Sequence, residues 1–144
     1  MRVSTKGRYA LRVMIDLAEN AGTTVPLRKI SERQDIPVKY LEHIIAALVK
    51  AELVSGSRGN GGGYSLSKRP SDYKIGEILR ASEGDFCAAP CTGEDCDKYR
   101  ECKASGFWQG LEKAVNTYLD GQTLDDVVKS STIASRRDPS IWIL

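Results

Sequence analysis

Two prolines, Pro26 and Pro37, and one glycine-rich run, Arg58-Gly59-Asn60-Gly61-Gly62-Gly63, cut the first half of this chain into pieces that suit short helices and a hairpin. A proline inside a helix removes a backbone hydrogen bond and clashes with the preceding turn, so each one marks a helix start or a break. Ahead of Pro26, Ala10, Val13, Met14, Leu17, Ala18 and Ala21 recur at helical spacing behind the polar opening Ser4-Thr5-Lys6-Gly7-Arg8. That predicts one amphipathic helix within Met1 to Asn20, ended by Gly22-Thr23-Thr24. Val25-Pro26-Leu27 opens a second, short helix with Leu27 and Ile30 inward and Arg28, Lys29, Glu32 and Arg33 toward water. Asp35-Ile36-Pro37 breaks it. A third helix, from about Pro37 to Ala51, carries the stripe Leu41, Ile44, Ile45, Leu48 and Val49, with Lys39, Tyr40, Glu42 and His43 opposite.

A short helix, a tight turn and a longer helix with polar residues near its amino end make the helix-turn-helix pattern, whose second helix enters the DNA major groove. Any two-helix hairpin shares that outline, so the next segment matters. Leu53-Val54-Ser55-Gly56-Ser57 and Tyr64-Ser65-Leu66 alternate as strands on either side of the glycine run, predicting a hairpin. A glycine run that cradles a nucleotide phosphate is followed by Lys-Ser/Thr opening a helix; strand residues follow here, which disfavours nucleotide binding. Glycines at the tip allow close approach to a DNA backbone, and Arg58 at the base reaches toward a phosphate or minor groove. The prediction is a mainly α winged helix-turn-helix domain with a two-stranded wing. Residues 1–69 hold 12 Lys/Arg against 6 Asp/Glu and residues 70–144 hold 9 against 13, so the net charge of +2 conceals a basic amino-terminal half. Phosphate-backbone binding needs such a half, although an ordinary solvated surface explains the same charges as well.

After the connector Lys68-Arg69-Pro70-Ser71, Ser71 or Asp72 can cap a helix from about Tyr73 to Ala81 that buries Ile75, Ile78 and Leu79. Farther on, Phe107, Leu111, Ala114, Val115 and Tyr118 mark a long amphipathic helix from about Ala104 to Leu119. With the winged domain closed by about residue 81, that helix is expected to pair with its copy in a homodimer. Thr123 to Val128 reads as a short capped helix. The expected division is a DNA-binding domain over 1–81, a cysteine-rich loop over 82–103, a dimerisation helix with its following short helix over 104–130, and a tail over 131–144. Trp142-Ile143-Leu144 in that tail suits docking on the body or a disordered terminus equally.

Cys87, Cys91, Cys96 and Cys102 all fall in the loop, spaced C-x3-C-x4-C-x5-C among polar residues. Thiolates are soft ligands for iron-sulfur clusters, zinc or copper(I), and metal binding supplies the order that a loop without a core lacks. The spacing lacks the paired C-x2-C knuckles of structural zinc sites and departs from ferredoxin patterns, so it does not name the metal. Disulfides are disfavoured without a secretory signal, and buried structural thiols seldom sit beside charged neighbours. A structural zinc, or an electron carrier, stays open as an alternative. With a single His, no nucleophile–base–acid constellation is visible, so an enzyme with a small-molecule substrate is not expected. No run approaches the roughly 18 apolar residues of a membrane span, and the expected location is the cytoplasm.

Met1 to Ala10 (MRVSTKGRYA), Pro26 to Gln34 (PLRKISERQ), Tyr40-Leu41-Glu42 and Arg58 to Tyr64 (RGNGGGY) together resemble the IscR-like iron-sulfur cluster regulators. These belong with NsrR, RirA and CymR among dimeric winged-helix repressors, and the likeness spans about residues 1 to 128. It implies a homodimeric promoter-binding regulator, mainly a repressor, acting on double-stranded DNA and controlling cluster-biogenesis genes. Nitric-oxide or iron supply are alternative signals within the family. Pro37, Val38, Lys39, Tyr40, Glu42 and His43 would then line the major groove, with Arg58, Gly59, Asn60 and Gly61 as the wing and Lys6 and Arg28 as further contacts. The position matching Glu42 distinguishes operator classes in such regulators, and a carboxylate can accept from cytosine N4. Cys91, Cys96 and Cys102 match the cluster ligands. The histidine used as fourth ligand is Ser105 here, and an acid at position 8 is replaced by Arg8, so Cys87 or a small exogenous ligand would complete the site. The resemblance favours a [2Fe-2S] cluster, with [4Fe-4S] possible.

Overall fold

The computed structural model describes residues 2–89 and 96–134. Its elements run α1 (Thr5–Glu19), α2 (Leu27–Gln34), α3 (Val38–Lys50), β1 (Val54–Ser57), β2 (Gly63–Leu66), a 3-10 turn (Pro70–Asp72), α4 (Ile75–Glu83), α5 (Ser105–Gly121) and α6 (Leu124–Ala134). Ser4 starts α1 by accepting the N–H of Lys6 at 3.1 Å, which satisfies one of the donors left over at a helix start. Asp35, at φ 51°, turns the chain out of α2, and the N–H of Ile36 closes back on the carbonyl of Ser31 at 3.2 Å. That left-handed residue sets the tight corner between α2 and α3.

The core is one cluster drawn from α1, α2, α3, α4, α6 and the strand bases, including Met14, Leu17, Ile30, Leu41, Ile44 and Ile78. Each such side chain contributes roughly 1.5–3 kcal/mol by leaving water. Two polar devices lock it. Asp16, buried on α1, accepts Arg33 Nε at 2.9 Å and Gln34 Nε2 at 3.0 Å, which fixes α2 across α1. Tyr73, also buried, donates its hydroxyl to the Leu53 carbonyl at 2.6 Å and accepts the N–H groups of Ser67 and Lys68, tying the hairpin base to the body.

The strands pair antiparallel, with Val54 opposite Leu66 and Ser57 opposite Gly63. A rung that sequence reading missed extends the sheet: Val25 and Tyr64 exchange N–H to carbonyl bonds at 2.8 Å in both directions. Gly63 permits it, because a Cβ there would overlap the carbonyl of Val25.

Several expectations shift. Ser71 and Asp72 belong to the 3-10 turn rather than capping α4, and Asp72 instead meets Arg69 at 3.1 Å. Tyr73 precedes the helix in extended backbone, since its ring is needed beneath the hairpin. Val49, expected in the buried stripe, is 38% exposed because it faces the wing. The core also reaches past residue 81. The N–H of Ile75 bonds the carbonyl of Gln122 at 2.9 Å, that of Leu124 bonds Tyr73 at 3.1 Å, and the Leu124 side chain is fully buried. α6 thus packs back on α1, starting from a reciprocal cap between Thr123 and Asp126 and running to Ala134, longer than the Thr123–Val128 segment expected. Residues 135–144 of the tail lie outside the described residues.

Candidate functional site

Pro37, Val38, Lys39, Tyr40, Glu42 and His43 form one exposed surface at the start of α3, which projects because the opposite stripe is anchored in the core. Tyr40 is held in place. Its ring meets Tyr9 of α1 edge-on at 5.7 Å, Arg12 lies over the Tyr9 ring at 5.3 Å, and Arg12 Nε reaches Gln34 Oε1 at 3.2 Å. Arg58, Gly59, Asn60 and Gly61 cap the hairpin, where positive φ at Gly59 (95°) and Gly61 (76°) makes the turn. Glu42 and Arg58 share the walls of a groove of about 570 Å³ between α3 and the wing. Arg28 stands at the start of α2, its side chain 88% exposed and 3.5 Å from Glu32, a pairing too solvated to restrain it. Lys6 is half-buried on the first turn of α1, away from the α3 surface in sequence.

Lys6 neighbours a carboxylate that sequence reading did not single out. Glu83, the last residue of α4, accepts the backbone N–H of Gly7 at 2.7 Å, the N–H of Ser4 at 3.2 Å and the Ser4 hydroxyl. The Ser4 hydroxyl, then the two N–H groups and the Lys6 charge, hold its pKa below the ordinary glutamate value despite partial desolvation.

Beyond Glu83 the chain enters the cysteine loop. Cys87 is exposed, and Cys96 and Cys102 are half-buried; Cys91 lies outside the described residues. Cys87 donates to the Ala89 carbonyl at 2.6 Å. The Ser105 hydroxyl donates to the Cys102 carbonyl at 2.8 Å, so it serves the start of α5. The leading side of the loop is pinned to α5 by the Ala88 N–H on Glu112 at 3.3 Å and by Asn116 Nδ2 on the Phe86 carbonyl at 3.5 Å. Arg80 joins α4 to α5 through Asp120, at 2.8 and 2.9 Å, and Asn116, at 2.8 Å. That guanidinium lowers the Asp120 pKa, and the same bond raises that of Arg80. Among the described residues no three metal-ligating side chains gather at one point. The donor chemistry nevertheless fits a thiophilic group, with Cys87 on one side of the loop and Cys96 and Cys102 on the other.

A winged helix-turn-helix fold with this loop has relatives, and residues 3–130 match Rrf2, described as an iron-dependent transcriptional regulator. This chain belongs to the Rrf2 family. It is 39% identical over 135 residues to the HTH-type transcriptional regulator IscR of Klebsiella pneumoniae strain 342, covering 92% of this chain and 83% of that protein. Among solved structures, IscR of T. potens superposes with a TM-score of 0.76 at 36% identity, covering 99% and 96% of the two chains. CymR, the global cysteine regulator of B. subtilis, gives 0.76 at 33% identity over 90% and 98%. The fold is therefore the winged helix of these regulators, and this Rrf2 protein is a DNA-binding transcription regulator rather than an enzyme. Among its described residues no helix is long and apolar enough to cross a membrane.

Tyr9, Arg12 and Glu83 are residues of this Rrf2 protein that periodicity alone could not assign a role. One signal for Glu83 existed: a glycine inside a helix, Gly7, costs stability and marks a close approach. A Cβ at Gly7 would lie 2.6 Å from Glu83 Oε1.

Proposed function

We propose that this Rrf2 protein is a cytoplasmic, homodimeric promoter-binding repressor whose affinity for double-stranded DNA is set by an iron-sulfur cluster in the 87–102 loop, controlling cluster-biogenesis genes. The observation that carries the reading is the loop's position: the cysteines sit on the segment joining the DNA-facing half to α5, whose Phe107, Leu111 and Tyr118 are exposed. Pro37, Val38, Lys39, Tyr40, Glu42 and His43 would enter the major groove, Arg58, Gly59, Asn60 and Gly61 would take the minor groove, and Lys6 and Arg28 would meet phosphates. Cys91, Cys96 and Cys102 would be ligands, with Cys87 as the fourth, since the Ser105 hydroxyl is already engaged with the Cys102 carbonyl. A [2Fe-2S] cluster is preferred and [4Fe-4S] is the alternative; when bound, it cross-links the two sides of the loop. Glu112 and Asn116 hold the leading side of the loop against α5, so loop order bears on α5 directly. Phe107, Leu111 and Tyr118 would pair with their copies in the dimer.

A second reading, in which iron supply is the signal, is favoured by the family's description as iron-dependent. Visible absorption with iron and sulfide assays on protein purified without oxygen tests the first. Brown protein bleached by Cys87→Ala but not by Ser105→Ala, with operator affinity that changes on cluster removal, is the expected result. Colourless zinc-containing protein that binds DNA unchanged through redox cycling would sink it.

A further inference from the structure

Glu83 stands where two parts of the protein meet. Both of its oxygens are engaged on α1, and Gly84 (φ 83°), Asp85 and Phe86 lead from it straight to Cys87. The first N–H groups of a helix carry partial positive charge, so a carboxylate set on them fixes the direction of that helix's first turn. Gly7 makes room for it: an added Cβ would lie 2.6 Å from Oε1 and 2.9 Å from both Cδ and Cγ. Two residues past Gly7, Tyr9 packs edge-on against Tyr40 of the α3 surface, with Arg12 spanning from the Tyr9 ring to Gln34 of α2. The start of α1 therefore touches the last residue of α4, from which the cysteine loop departs, and through Tyr9 the α3 surface.

We propose that Glu83 is a positioning residue for DNA recognition: its carboxylate latches the first turn of α1 to the segment leading into the cysteine loop, and Tyr9 passes that position to Tyr40. The inference rests on the reading that loop occupancy governs DNA binding. The latch is closed on Ser4 and Gly7 in this structure, and the coupling calls for a second arrangement in which Glu83 opens to water. An element with two states that both sites bias is what energetic coupling requires. Movement of Gly84 to Phe86 draws Glu83 with it, and α1, a rigid helix, hands the displacement to the Tyr9–Tyr40 contact.

The test uses full-length protein and a DNA duplex recovered by wild-type selection from a random-sequence pool. Affinity for that duplex is measured with cluster-loaded and metal-free protein, for wild type, Glu83→Ala, Glu83→Gln, Tyr9→Leu and Tyr9→Phe. Coupled sites differ by roughly 5–150-fold, and the wild-type ratio of the two affinities is expected in that range. Glu83→Ala and Tyr9→Leu should pull the ratio toward one while the visible spectrum and helicity hold. Tyr9→Phe, which keeps the ring, should restore it. Amide hydrogen exchange at Gly7 should quicken in Glu83→Ala, and Glu83→Gln serves should Glu83→Ala not fold. A wild-type ratio that survives in Glu83→Ala, Glu83→Gln and Tyr9→Leu overturns the latch alone. A ratio of one in the wild type overturns the cluster-control reading, and the latch with it.

Discussion

α3 and α5 carry the same kind of sequence pattern and meet opposite fates. The α3 stripe of Leu41, Ile44, Ile45 and Leu48 is buried in the chain's own core, whereas no residue of α5 is fully buried, and Phe107 stays 66% and Tyr118 68% exposed. Beside that open face lies an apolar groove of about 400 Å³ walled by Val3, Leu79, Phe86, Val115, Tyr118 and Leu119. An amphipathic stripe thus states that a face must be covered and says nothing of what covers it. In α3 the cover is the fold itself. In α5 no described residue of the chain supplies it.

The sharpest way to break the comparison is to truncate one residue from each stripe. Ile44→Ala should cost about 2–5 kcal/mol of folding stability, seen as a fall in the urea midpoint at any protein concentration. Phe107→Ala should shift the stability of dilute, monomeric chain by no more than about 0.5 kcal/mol while weakening self-association in sedimentation equilibrium. If both variants unfold alike, the two stripes are not different in kind.

Leu124→Ala tests whether α6 belongs with the α3 side of the contrast. Its burial predicts a loss of about 2–5 kcal/mol despite its place beyond α5. A near-neutral result in chemical denaturation would return α6 to the unburied half.

A smaller effect is expected in the wing. Gly63→Ala should push the Val25 rung apart at a cost of about 1–3 kcal/mol, lowering DNA affinity in anisotropy titrations more than it lowers helicity. Unchanged affinity would separate the rung from wing placement.

The smallest effect is in pH. Glu83 and Asp120 both titrate below their ordinary carboxylate values in the folded chain, so each contributes stability that is complete above the ordinary value and lost as pH falls through the lower folded one. The stability gap between wild type and Glu83→Gln or Asp120→Asn should therefore be present at neutral pH and close on acidification. A gap that persists at low pH would assign the contact to shape rather than charge.

Local chemistry explains which features were legible beforehand. Pro26, Pro37 and the glycine run act within a few residues, so α1 to α3 and the hairpin could be read from spacing. The Val25 rung could not be, since a single residue has no period, and Leu124 gave no sign that its apolar side chain closes a distant core. Asp16–Arg33 and Glu83–Gly7 join positions far apart in the chain, a separation that periodicity does not reach. At the candidate site, the exposed residues of α3 and the wing were visible as patterns. What steadies Tyr40 was not, because Tyr9 looks like any half-buried residue of an amphipathic helix.

The return of the chain through Leu124 makes a lever of α5. Arg80 grips Asp120 and Asn116 near one end, close to where Tyr73 receives Leu124, while the other end carries Ser105 and the adjoining loop. Its 17 residues span about 25 Å, so a pivot of about 10° at the gripped end sweeps the loop end through about 4 Å. With the grip so close to one tip, a rotation at Asp120 would be largest at Ser105, where α5 meets the loop.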